Sequence, residues 1–185
     1  VLGNTDTWPA TNVFGAIQGQ YEDAENIRTL GFGNPGGEWD TDGNREAAAQ
    51  MQDWANEGYF NSGVNGEDYD QVWQDFANGE GVYLIAGSWL AADLSVAMGD
   101  DVRFALPPSE GPTTTGGTGL PFAVTSAAED NDVAAAYIDF ITSDEAMQIL
   151  AETGNVPVLN ASQFTDSADQ VVADVMTAFD ELVSD

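Results

Sequence analysis

The sequence contains no cysteine, no histidine and no lysine, and each gap removes a class of chemistry. Without cysteine there are no disulfides, no thiolate metal sites and no cysteine nucleophile. Without histidine the commonest general base and zinc ligand is missing. Arg28, Arg45 and Arg103 are the whole basic complement, set against 32 acidic residues for a formal net charge of −29. Such a charge repels a nucleic-acid backbone and an anionic membrane surface alike. Also missing are a run of about 18 apolar residues to span a bilayer and the n- and h-regions of a signal peptide. The chain opens Val1-Leu2-Gly3 without an initiator methionine, which reads as an excised part of something longer or as a processed N-terminus.

What is present argues for a folded chain. Its 185 residues suffice for one domain or two small ones. The 43% hydrophobic and 10% aromatic content exceeds what acidic disordered chains carry. The acids therefore clothe a folded surface, as in proteins of salt-loving microbes, where screening relieves self-repulsion; a merely low-lysine, acid-rich proteome gives the same composition.

The stretch that organises the chain runs from Asp75 to Leu90. Tyr69, Val72, Trp73 and Phe76 fall at i, i+3, i+4 and i+7, the spacing of a helix face. Asn78-Gly79 turns the chain into Val82-Tyr83-Leu84-Ile85-Ala86, expected as a buried strand, and Gly87-Ser88-Trp89 follows. Ser88 is expected to cap a helix from Trp89 to about Met98. The Trp89 indole then stands where a strand stops and a helix begins, the edge at which α/β sheets bind ligands.

Elsewhere the pattern alternates helices and strands. A turn at Trp8-Pro9 leads into a helix to about Tyr21, and residues 22–43 read as a glycine-rich loop. In that loop Asp40, Asp42 and Asn44 sit at positions 1, 3 and 5 of a calcium loop. Arg45 replaces its glycine at position 6 and Met51 its bidentate glutamate at position 12, so a helix-capping turn is the preferred reading. A helix from Asp42 to Glu57 follows, with Gly58 at its C-terminal cap. Trp54 and Trp73 lie inside helical patterns and read as core.

Val102–Leu106 reads as a strand ended by Pro107-Pro108. The loose segment from Ser109 leads through Gly116-Gly117-Thr118-Gly119 into a strand, Leu120–Thr125. Glycines there either bare the backbone to a ligand or make an ordinary flexible crossover; a phosphate loop is disfavoured because no Gly-Lys-Ser/Thr follows. Ser126 and Glu129 form a capping box before an apolar helical face of Val133, Ala134, Tyr137, Ile138 and Ile141. Ser143 caps a helix to Glu152, and a last helix from about Ser167 to Leu182 ends the chain without a cap, as at a cut.

Taken in order, these motifs resemble a known family. The Phe76/Gly79/Gly87/Trp89 block, the Leu106-Pro107-Pro108 strand end, Gly116-Gly117-Thr118-Gly119 before a strand, the run Ala134 to Ala146 and Gly154-Asn155-Val156-Pro157 are together similar to the extracellular solute-binding proteins of carbohydrate ABC transporters, the maltose-binding-protein-like group. The resemblance runs from Thr7-Trp8-Pro9 to about Ser162. It implies an α/β, periplasmic-binding-protein-like (class II) lobe with a mixed sheet flanked by helices, a fragment of a two-lobe protein. Residues 1–108 would be most of the second lobe, 109–119 a hinge crossover, 120–156 the returning part of the first lobe, and 157–185 a crossover and terminal helix. The first lobe's initial sheet would precede Val1.

By the same likeness Trp89 is the cleft aromatic, its indole packing on the C–H face of a sugar ring beside the Ser88 hydroxyl. Gly116, Gly117, Thr118 and Gly119 would offer backbone groups, and Trp8, Asp6 and Trp39 complete the candidate ligand set; Asn4, Thr5 and Asp6 depart from the group's Glu-Pro-Tyr before Trp8. The function implied is non-catalytic capture of a sugar or oligosaccharide for ABC permease subunits, outside the cell or in the periplasm, on a lipid-anchored full-length protein. No cofactor or metal is implied. Two readings of other classes stand beside it. One is an assembly module that self-associates through an exposed edge or inter-lobe face; the other is a glycosidase using paired carboxylates, for which 32 acids supply a workable pair by chance alone.

Overall fold

A computed structural model describes residues 1–107, 122–128 and 131–183. Eight α-helices lie in this part of the chain: α1 (Pro9–Tyr21), α2 (Ala24–Gly31), α3 (Asp42–Asn56), α4 (Tyr69–Ala77), α5 (Ala91–Met98), α6 (Asn131–Ile141), α7 (Asp144–Glu152) and α8 (Gln170–Val183). Their starts follow local chemistry. Pro9 fits the first turn of α1, where its missing N–H is no loss. The side chains of Asp23, Thr41, Asp68 and Ser143 accept backbone N–H groups at the starts of α2, α3, α4 and α7. None of the described helices is long and apolar enough to cross a membrane.

The expected α/β fold with a mixed sheet is overturned: among the described residues there is no strand. Three apolar segments of high β-propensity form no ladder among the described residues. In the first, Val82 and Tyr83 are exposed rather than buried, and the Val1 amino group donates to the Tyr83 carbonyl. The second, around Arg103 and Phe104, is bound instead by an acidic side chain of α8. The third, residues 122–125, is exposed. Propensity makes a strand only when a neighbour supplies the other half of each hydrogen bond. Beside Leu2 that partner is one side chain: Asn61 Oδ1 accepts the Leu2 N–H at 2.7 Å and Asn61 Nδ2 donates to the Leu2 carbonyl at 3.1 Å.

Other boundaries also move. The loop expected over 22–43 contains α2, a helix of only eight residues that buries none of them; its signals were the Asp23 cap and the Ile27–Leu30 pair among flanking glycines. The helix expected from the Ser126 box begins at Asn131 instead, and Ser126-Ala127 is a turn. The last helix begins at Gln170, after a 3-10 run Ala161–Ser167.

The chain divides into two units. Unit 1 comprises Val1–Ala86 and Leu106–Gly117. Its core is Leu2, Val13, Ile17 and Ala47, with Phe14, Met51, Trp54, Phe60, Val64 and Ile85 packed around them. Here α1 and α3 lie together, and a buried Gln18 Nε2 donates to Asn44 Oδ1 at 2.6 Å between them. Gly3 passes so close to α4 that a Cβ there would fall 2.8 Å from the Asp68 carbonyl carbon.

Unit 2 comprises Gly87–Ala105 and Thr118–Asp185. It is built on α8, whose Val171, Val172, Val175, Met176 and Ala178 are buried, along with Leu90, Leu94 and Met147 from other segments of the unit. Three aspartates of the α8 region hold other segments. Asp169 accepts the Ser95 hydroxyl at 2.6 Å. Asp174 takes Arg103 in a two-pronged bond at 2.6 and 2.9 Å and the Phe104 N–H at 3.3 Å. Asp180 caps the Ala161–Ser167 run, accepting the Ala161 and Ser162 N–H groups at 3.0 and 2.8 Å and the Ser162 hydroxyl.

Candidate functional site

The candidate residues fall in both units. In unit 2, Trp89 lies on a 3-10 turn, Ser88–Leu90, that leads into α5. Leu90 is buried and anchors the turn, while Trp89 is 54% exposed. A leucine facing the core and a tryptophan facing solvent, one residue apart, is what a short turn rather than a regular helix start permits. The indole folds back over Gly87, where an added Cβ would collide with its benzo ring. Ser88 does not cap the helix as expected: Leu90 occupies the cap position of α5, and no side-chain cap bond is made. Its side chain is exposed beside Trp89.

In unit 1, Asp6 and Trp8 are presented by a tight turn. The Trp8 N–H donates to the Asp6 carbonyl at 2.8 Å, closing a three-residue turn about Thr7. Thr7 has φ 67°, in the left-handed region that a β-branched side chain resists. Strain of this kind costs on the order of 1–3 kcal/mol and persists only where surrounding bonds over-determine it. Those bonds are on hand: Thr7 N–H donates to the Asn4 carbonyl at 3.0 Å, and Thr5 N–H to the Glu67 carbonyl at 3.0 Å. The Asn4 side chain accepts the Ala10 N–H at 3.0 Å and donates to Asn65 Oδ1 at 2.8 Å. The Trp8 ring rests on buried Tyr69, centroids 4.7 Å apart and planes tilted by 50°. Trp8 remains 38% exposed.

Trp39 is exposed in the stretch between α2 and α3. Neighbouring Asp40 and Asp42 both engage Arg45, at 2.7 and 2.8 Å, Asn44 Oδ1 accepts from Gln18, and Thr41 caps α3; the three would-be calcium ligands serve as ion-pair and hydrogen-bond partners beside the expected capping turn. Among the described residues no cluster of three metal-ligating side chains occurs. Gly116, Gly117, Thr118 and Gly119 lie outside the described residues.

An open apolar cavity of about 290 Å³ in unit 1 falls at the lower bound of small-molecule sites. Phe14, Met51, Phe60 and Val64 line it, and none of Asp6, Trp8 and Trp39 does. Thr7, Asn4, Tyr69 and Gly87 support these candidate residues, although none of the four was among the expected site residues. The Gly-x-Trp spacing was a signal for Gly87, whereas nothing local marks a threonine for φ above zero.

A family model described as bacterial extracellular solute-binding protein matches residues 4–176, which is nearly the whole chain. The chain belongs to this family. No curated protein and no solved structure matches it. As a solute-binding protein it serves extracellular solute binding for transport, in partnership with an ABC transporter and at an extracellular or periplasmic location. The family is generally non-enzymatic.

Proposed function

We propose that this solute-binding protein captures a sugar or oligosaccharide, without catalysis, and hands it to the permease subunits of an ABC importer from a lipid-anchored full-length form. The observation that carries the reading is Trp89, a large indole more than half exposed beside an exposed serine hydroxyl. Leaving such a ring in water forgoes roughly 1.5–3 kcal/mol of burial, and a pyranose C–H face is a ligand that would recover it. Trp8 and Asp6, fixed by the strained turn, make a second station, and Trp39 a third exposed aromatic. Gly116 to Gly119 are proposed backbone contributors. Isothermal titration against a panel of mono- and oligosaccharides tests the reading. Binding lost in Trp89→Ala is expected; no heat with any sugar would overturn it.

A second reading, an assembly surface, is favoured by α6. This helix buries none of its residues, and its Val133, Tyr137 and Phe140 are 65%, 56% and 70% exposed. Spaced i, i+4 and i+7, the three share one face of the helix, the kind of apolar stripe that ordinarily packs against a partner. Sedimentation at rising salt separates the readings, since screening the −29 charge would promote association through this face.

A further inference from the structure

Gly87 has φ −85° and ψ 156°, an extended conformation open to any L-residue, so its backbone does not call for glycine. The indole does. A Cβ at position 87 would collide with Cε3, Cζ3 and Cη2 of Trp89, so a side chain at 87 and the ring in its present place exclude each other. Gly87 is also the first residue of unit 2, reached directly from Ala86 of unit 1. We propose that Gly87 is the positioning residue for Trp89: its bare Cα seats the indole and ties the ring's orientation to the backbone torsions of Gly87 itself. Packing a solute on the ring then restrains those torsions, and turning the torsions re-aims the ring.

Because Trp89 is half exposed, a methyl group at 87 can push the ring outward without opening a cavity in the core, and the fold survives the change. The functional consequence rests on the reading of Trp89 as a ligand platform; the seating rests on geometry alone. The test therefore has two arms. The full chain is labelled with 5-fluorotryptophan, giving a fluorine resonance for each of its five tryptophans, and the Trp89 resonance is assigned by its loss in Trp89→Phe.

Gly87→Ala is expected to shift that resonance, leave the other four in place and change the melting midpoint little. A Trp89 resonance unmoved by Gly87→Ala would overturn the proposal. In the second arm maltotriose is titrated. Gly87→Ala is expected to weaken binding about tenfold, the factor that losing roughly 1.4 kcal/mol of ring stacking gives, and to add nothing in a Trp89→Ala background. An equal loss in both backgrounds would overturn the coupling. Maltotriose failing to bind the unmodified chain counts against the carbohydrate reading, while the fluorine shift still decides the seating.

Discussion

In unit 1 the segments are tied together largely by amide side chains, whereas in unit 2 the same task falls to carboxylates. Asn4 bridges the start of α1 and the loop at Asn65, Asn61 replaces a strand beside Leu2, and Gln18 meets Asn44 inside the unit. Against these stand Asp169, Asp174 and Asp180 on or beside α8. An amide bonds as well at pH 3 as at pH 7, and salt does not screen it. A carboxylate bonds more strongly, but it keeps that extra strength only while ionised. In a chain with 32 acids, most carboxylates add repulsion; the difference teaches that those holding segments far apart in sequence lie mostly on or beside α8, while those of unit 1 act largely as helix caps and short-range ion-pair partners.

Acid should therefore separate the units, and this is the largest effect expected. The Arg103 side chain holds Asp174 below the usual carboxylate range, against the opposing effect of burial. Burial alone would raise Asp180, but the Ser162 hydroxyl and the Ser162 and Ala161 N–H groups together bring it below that range. A carboxylate lowered by folding contributes stability that is fully present above its unfolded value, near pH 4, and is lost as pH falls through its folded value. Among its described residues unit 1 has one such link: the Thr41 hydroxyl lowers Glu22, again against burial. Meanwhile protonating the surface acids relieves self-repulsion throughout. Peptide-level hydrogen exchange between pH 7 and pH 3 is expected to show protection lost from α8 and residues 161–167 before α1 and α3. Simultaneous loss would break the comparison.

Single substitutions sharpen it. Asp180→Ala strips three donors of their acceptor and is expected to cost about 2–3 kcal/mol at neutral pH, the scale of a charge-assisted bond with partners left unpaired. The cost should shrink in acid, where the native carboxylate is itself protonated; denaturant midpoints at two pH values measure both. Gln18→Ala leaves the buried Asn44 oxygen without its donor and is expected to cost about 1–2 kcal/mol, the same at both pH values. Raising salt to molar strength is expected to lift the melting midpoint by screening the −29 charge, and a flat salt series would contradict that.

The same contrast explains what could be read from the residues. Helices announced by a cap and an apolar period, such as α4 after Asp68 and α7 after Ser143, stand where expected. The strands failed because Val82–Ile85, Val102–Leu106 and Phe122–Thr125 carry β-propensity, a local property, while a ladder is a property of two segments. Nothing in Leu2 or Asn61 alone says that one side chain will answer for a missing strand. Trp89 was legible as the aromatic closing the Asp75–Leu90 stretch, two residues after a glycine; its exposure was not. That Ser88 leaves the helix uncapped was not, because a 3-10 turn and a capped helix start share the same Gly-Ser-Trp lettering.

Thr7 gives the smallest and most discriminating test, since it opposes stability to function at one residue. Replacing it with glycine removes the left-handed strain, on the order of 1–3 kcal/mol, but adds conformational freedom to the unfolded chain worth about 0.5–1 kcal/mol. Strain is the larger of the two, so Thr7→Gly is expected to stabilise unit 1 by about 1 kcal/mol, measured as a raised denaturant midpoint. The Thr7 hydroxyl also donates to the Asp6 carbonyl at 2.6 Å, and that brace on the turn goes with it. Asp6 and Trp8 should then be held less firmly, and solute affinity should fall as stability rises. A variant that gains stability and keeps full affinity would mean that the strained turn shapes unit 1 alone and that the binding site lies with Trp89.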